Sequence, residues 1–145
     1  MKFLLDTNAV SETLKSRPNS GFMDWFASVG SPQDDFDDRL HVSVLTIGEM
    51  RRGALRLGPD PRGTLLQDRI DGIVADYGDR LVPVDLAVVE CWARLAEAYR
   101  SMGVSVGITD ELLAASALVH DFTLVTRNLR HFEHSGCRAL SPWSD

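Results

Sequence analysis

Apolar positions in this chain fall into short continuous runs separated by stripes at helical spacing. Phe3-Leu4-Leu5 is such a run, and it stops at a carboxylate, a hydroxyl and an amide, Asp6-Thr7-Asn8. A strand covered on both faces reads this way when it delivers polar groups to its carboxyl end. Residues 40–44, 81–84 and 122–126 have the same character, and residues 137–140 allow an edge strand. Between the runs, Phe22, Trp25, Phe26 and Val29 recur at helical spacing, as do Ile47, Met50, Ala54 and Leu57. Leu66, Ile70, Ile73 and Tyr77 form another stripe, and Val89, Trp92, Leu95, Ala96, Tyr99 and Met102 a long one ending at Gly103. Core packing is the expected role of Trp25, Trp92 and Tyr99. The segment from Thr109 to Leu118 is apolar almost all round, so its helix is expected to be buried against a sheet.

The order this predicts is β-α-α-β-α-α-β-α-α-β-α-β. Strands alternating with helices point to an α/β chain with a mainly parallel sheet covered on both faces. At 145 residues, a single domain over 1–145 with its own core is expected. Apolar residues at 44% and charged residues at 25% are ordinary for a soluble protein. Cys91 and Cys137 have no companion ligands at metal spacing and fit a reduced compartment. The start is too short for a signal peptide, and no apolar run approaches the ~20 residues that span a bilayer. The expectation is a cytoplasmic protein without membrane contact. A net charge of −6 argues mildly against simple electrostatic capture of nucleic acid, yet it suits acids grouped around a divalent cation.

Several polar residues have two readings from sequence alone. Asp6 follows a strand, the edge at which open α/β sheets bind ligands. Glu49 lies a turn into the second β-α unit, where it either reaches that crevice or pairs with Arg52 on the helix surface. Thr109 is expected to N-cap a helix, leaving Asp110 in its first turn. There Asp110 either answers the helix dipole or joins the crevice. Asn128 follows the fourth strand as a turn residue or as a site group. Asp85 reads as an N-cap, and the acidic run 34–38 as a solvated loop. If Asp6, Glu49 and Asp110 meet, they form a hard oxygen site suited to Mg²⁺ or Mn²⁺, the setting for metal-assisted phosphodiester hydrolysis. Without a cation, converging carboxylates repel one another.

Four stretches taken together change the balance: FLLDTNAVSE at the start, SVLTIGEMRRG around residue 48, TDELLAASAL around 114 and LVTRNLRHF around 128. In this order, over nearly the whole chain, they resemble PIN-domain ribonucleases, in particular VapC/FitB-type toxins of toxin–antitoxin pairs. The resemblance implies a three-layer α/β/α PIN-like domain with a central, mainly parallel four- to five-stranded sheet. It implies a metal-dependent endoribonuclease with Asp6, Glu49 and Asp110 as ligands of Mg²⁺ (or Mn²⁺). Asn128 takes the fourth position, where many relatives carry Asp, and a neutral amide leaves less charge for a second ion. Thr7 and Thr126 are expected to orient ligands or water. The resemblance also implies a homodimer and a VapB/FitA-like antitoxin through which DNA is met indirectly. Arg52, Arg56, Arg127 and Arg130 are candidates for a basic path to RNA phosphates. A haloacid-dehalogenase-like phosphatase fits poorly, because position 8 is Asn where that chemistry wants a second acid. A 5′-nuclease-like DNA enzyme needs binding elements this chain has no room for. A PIN-like module that binds RNA or antitoxin without turnover is the reading of a different class.

Overall fold

The computed structural model describes residues 1–145. Five strands form one all-parallel sheet: β1 Phe3–Leu5, β2 Leu40–Ser43, β3 Leu81–Val82, β4 Thr123–Val125 and β5 Arg138–Leu140, in the order β3-β2-β1-β4-β5. The helices are α1 Thr7–Glu12, α2 Ser20–Val29, α3 Val44–Arg56, α4 Pro61–Tyr77, α5 Leu86–Met102 and α6 Ile108–His120. β1 is therefore the middle strand, with Leu5 opposite Val42 on one side and Val125 on the other.

Alternation along β1 divides the core in two. Phe3 and Leu5 face a cluster with Val10, Phe22, Met50, Ile70 and Tyr77, drawn from α1 to α4. Leu4 faces the opposite cluster with Leu95, Tyr99, Leu113, Ala114 and Phe132, beneath α5 and α6. Both Leu4 and Leu5 are fully buried, as the continuous apolar run required. The small residues Ala114, Ala115 and Ala117 let α6 lie close to the sheet, which accounts for its lack of a polar face.

Helix ends follow side-chain chemistry, with corrections at Val44, at Thr109 and after β4. Ser43, Asp60 and Asp85 accept from the backbone N–H groups of Leu45, Arg62 and Val88, so Asp85 caps its helix as expected. Because Ser43 is the cap, Val44 starts α3 instead of ending β2. Thr109 is not a cap: α6 begins at Ile108 after Gly107, which has no side chain to offer, and Thr109 lies inside the first turn. The segment after β4 is a 3-10 turn, Leu129–Phe132, tighter than the expected α-helix. Asp121 ends α6 at φ 58°, a left-handed position that Asp tolerates. There Arg138 donates to its main-chain carbonyl and pairs with its carboxylate.

The last residues fold back onto α1 and α2. Trp143 packs its ring on Phe22, with centroids 4.7 Å apart, and its indole N–H donates to Glu12 Oε1 at 2.7 Å. Glu12 is buried, and its carboxylate also receives Lys15 Nζ and the backbone N–H of Asn19, each at 3.2 Å. These donors hold its carboxyl below the usual range despite the burial that opposes them. Asn19 in turn donates its amide to the Ser144 carbonyl at 2.8 Å.

Candidate active site

The carboxyl edge of the sheet collects the polar groups. Asp6 follows β1 and caps α1, its Oδ1 accepting the Ala9 N–H at 2.8 Å. Its own N–H donates to Val125 O at 3.0 Å, so the β1–β4 ladder continues right up to this residue. Parallel register then sets Thr126, the next residue of the neighbouring strand, beside it. Thr126 is completely buried, and its hydroxyl oxygen accepts the Asn128 N–H at 3.0 Å.

Asp110 reaches the same place from α6. Sequence order left this meeting open, because α6 follows another helix. In the structure Asp110 Oδ2 is 2.9 Å from His131 Nδ1 in the turn after β4, which brings it to the carboxyl edge, and its charge is felt at the Asp6 carboxyl. Asp6 itself is only 6% exposed, and its carboxyl is pushed above its ordinary value of 3.8. Burial is the main cause. Thr126 and the N–H groups of Ala9 and Asn8 pull the other way, and the negative Asp110 adds to the rise.

Glu49 approaches from α3 and is exposed. The expected surface pair with Arg52 is not formed; Thr7 Oγ1 instead donates to Glu49 Oε1 at 2.5 Å. A hydroxyl has one proton, and with that proton on Glu49 the Thr46 hydroxyl, 3.2 Å away, must donate to Thr7. Thr46 is buried, one helical turn before Glu49, and this relay joins α1 to α3. A cleft of about 380 Å³ lies alongside, lined by Thr7, Ser11, Lys15, Glu49, Met50 and Leu66 among others. Sequence reasoning missed Thr46 and His131. Their only signals were the i−3 spacing of Thr46 from Glu49 and the position of His131 three residues after Asn128.

No three acid, histidine or cysteine side chains close on one point as a ready-made cation cage. The donor chemistry nevertheless fits a hard divalent ion. Mg²⁺ keeps several waters and is commonly bound by one or two carboxylates plus substrate phosphate. Asp6 and Asp110 supply two such carboxylates, and their mutual repulsion is relieved by a cation between them. Asn128 is exposed, with its backbone tied to Thr126.

Arg127 and Arg130 flank Asn128, while Arg52 and Arg56 continue along α3 beyond Glu49. All four are exposed and none joins an ion pair. Neighbouring Arg51 is the contrast, committed to Gln67 at 2.6 Å and Asp71 at 2.6 Å.

Known proteins resemble the chain along its length. It is 29% identical to VapC ribonuclease Y4jK of Sinorhizobium fredii over 97% of this chain and 96% of that protein. It is 27% identical to toxin FitB of Neisseria gonorrhoeae, over 98% of this chain and 99% of that protein. The crystal structure of FitAcB from Neisseria gonorrhoeae superposes with a TM-score of 0.85 at 27% identity, covering 99% of each chain. The PIN domain family matches residues 3–135. With its five-stranded parallel sheet and acids gathered at the carboxyl edge, this chain belongs to the PIN-domain family.

Proposed function

We propose that this chain is a metal-dependent endoribonuclease, the toxin of a cytoplasmic toxin–antitoxin pair, hydrolysing RNA phosphodiesters. The observation that carries the proposal is buried Asp6 at the carboxyl edge of the sheet, with Asp110 brought to the same edge beside the turn after β4. Two carboxylates held in mutual repulsion are unfavourable for folding and useful for capturing a cation. The names of the relatives, a ribonuclease and a toxin, support the same reading.

Asp6 and Asp110 would hold Mg²⁺ (or Mn²⁺), with Glu49 completing the acidic rim. A divalent ion there supplies Lewis-acid polarisation of a phosphoryl oxygen and a more acidic bound water. The chain's own groups do the remaining work. Thr126 and the Ala9 N–H hold the Asp6 carboxylate, and Thr7 engages one oxygen of Glu49, leaving its other oxygen free to serve as a ligand or proton acceptor. The Asn128 amide supplies a neutral donor to the scissile phosphate. Arg52, Arg56, Arg127 and Arg130, free of carboxylate partners, neutralise flanking phosphates. A homodimer of the chain and a VapB/FitA-like antitoxin, which alone would contact DNA, belong to the same proposal, as does a single domain over 1–145.

The test is cleavage of a total small-RNA pool by antitoxin-free protein with Mg²⁺, Mn²⁺ or EDTA, beside Asp110→Asn. Discrete cuts that need metal and vanish in the variant are expected. Cutting that survives EDTA would reject the mechanism. RNA retention without turnover by folded protein would favour a non-catalytic PIN-like module.

Neutral Asn128 gives that second reading its one specific support. The arginine path has a separate test. Arg52→Glu with Arg127→Glu should flatten the slope of log affinity against log salt by about 1.4 or more, roughly 0.7 for each phosphate of a single strand that is no longer neutralised. An unchanged slope would remove these residues from the RNA path.

A further inference from the structure

We infer that His131 is a positioning residue for Asp110, and that the short segment from Thr126 to His131 sets the geometry of both aspartates at once. This rests on the reading of Asp6 and Asp110 as cation ligands.

Thr126 Oγ1 lies beside Asp6, and His131 Nδ1 lies 2.9 Å from Asp110 Oδ2. Both partners come from one tightly tied piece of chain. Thr126 Oγ1 accepts the Asn128 N–H at 3.0 Å, and Asn128 O accepts the His131 N–H at 3.0 Å. At its start the piece continues β4; just past its end, Phe132 is buried between α5, α6 and the sheet. The ring of His131 is therefore mounted on a turn fixed at both ends.

The direction of the hydrogen bond follows from the partner. An ionised carboxylate only accepts, so Nδ1 must carry the proton and donate. Oδ2 of Asp110 is thereby engaged and turned, leaving Oδ1 and the remaining lone pair of Oδ2 to face a cation. A carboxylate at the start of α6 is already favoured by the helix dipole and needs no histidine for that. What the dipole does not supply is a fixed rotamer. The His131 ring supplies it, across 21 residues of sequence. Removing such an outer partner of a metal ligand typically weakens metal binding by about 10–100-fold.

The measurement is Mn²⁺ affinity by electron paramagnetic resonance titration of the full chain, without RNA. Wild type would be compared with His131→Ala, His131→Asn and Asp110→Asn, and thermal unfolding would confirm that each is folded. His131→Ala should bind Mn²⁺ about 10-fold or more weakly, and His131→Asn, whose amide N–H lies near the place of Nδ1, should recover most of the loss. Wild-type affinity in His131→Ala would overturn the inference while leaving the nuclease reading intact. Equal weakening in His131→Ala and His131→Asn would also overturn it, since donation would then be irrelevant. If wild type binds no tighter than Asp110→Asn, the cation reading itself fails, and the inference with it.

Discussion

Asp6→Asn abolishes RNA cleavage yet melts at a higher temperature than the parent in metal-free buffer. The two halves of this expected result have one cause. Burial and the neighbouring Asp110 raise the Asp6 pKa in the folded state. A raised carboxyl pKa means the native protein holds that proton more tightly than the unfolded chain. Stability from this group is then greatest below the unfolded value of 3.8 and falls as pH rises through the folded pKa. At neutral pH the ionised group is thus a standing cost. Asparagine keeps an oxygen to accept the Ala9 N–H and cap α1, but brings no charge.

Relief of about 1 kcal/mol would raise the midpoint by roughly 3 °C in a chain of this size. Saturating Mg²⁺ should reverse the order. At 100 times its dissociation constant a ligand adds about 2.7 kcal/mol to the protein that binds it, and Asp6→Asn lacks the site. Cleavage should fall at least about 100-fold, the scale on which losing one preorganised electrostatic group acts. Differential scanning calorimetry in EDTA and in Mg²⁺, beside the cleavage assay, reads all three effects. A variant less stable than the parent in EDTA would show that Asp6 is not under electrostatic strain.

Trp143→Ala should be the most damaging single change near the end of the chain, at about 3 kcal/mol in urea unfolding. The substitution empties the place beside Phe22, and it also removes the indole N–H from buried Glu12. Trp143→Phe keeps much of the packing and loses the hydrogen bond, so about 1–2 kcal/mol of the effect should remain. The pH dependence separates the two contributions. Glu12 has a lowered folded pKa, so its stabilisation is present above its unfolded value of 4.5 and is lost as pH falls through the folded pKa. Both variants should flatten that acid limb, because Glu12 would lose its indole donor in each. An acid limb unchanged in Trp143→Phe would mean that Lys15 and the Asn19 N–H suffice to hold Glu12 ionised.

Local patterns made the architecture legible. Phe3-Leu4-Leu5 announced a doubly covered strand, and the alanines of α6 a helix pressed onto a sheet. Asp6 was legible for the same reason, since a strand has one carboxyl end. Asp110 was a candidate whose arrival depended on how α6 is laid over the sheet, a tertiary fact that helical periodicity does not contain. Glu49 had two readings for a related reason. Its partner at i+3, Arg52, is a plausible surface mate, but Thr7 is presented 42 residues away by β1 and α1, and the short hydroxyl hydrogen bond wins. Thr109 misled by propensity: Thr is the better cap by composition, and the backbone turned into helix two residues earlier than that cap implies, at Ile108 instead of Asp110.

The central place of β1 has a consequence in time as well as in space. Its neighbours are β2 and β4, and β4 lies some 120 residues further along the chain. During synthesis, the first strand has no partner on one flank until β4 has been made, and parallel pairings of such separation form slowly. Asp6 meets Asp110 and Thr126 only at that late moment. The acidic edge of the sheet is thus among the last parts of the fold to form, in whatever order the helices settle.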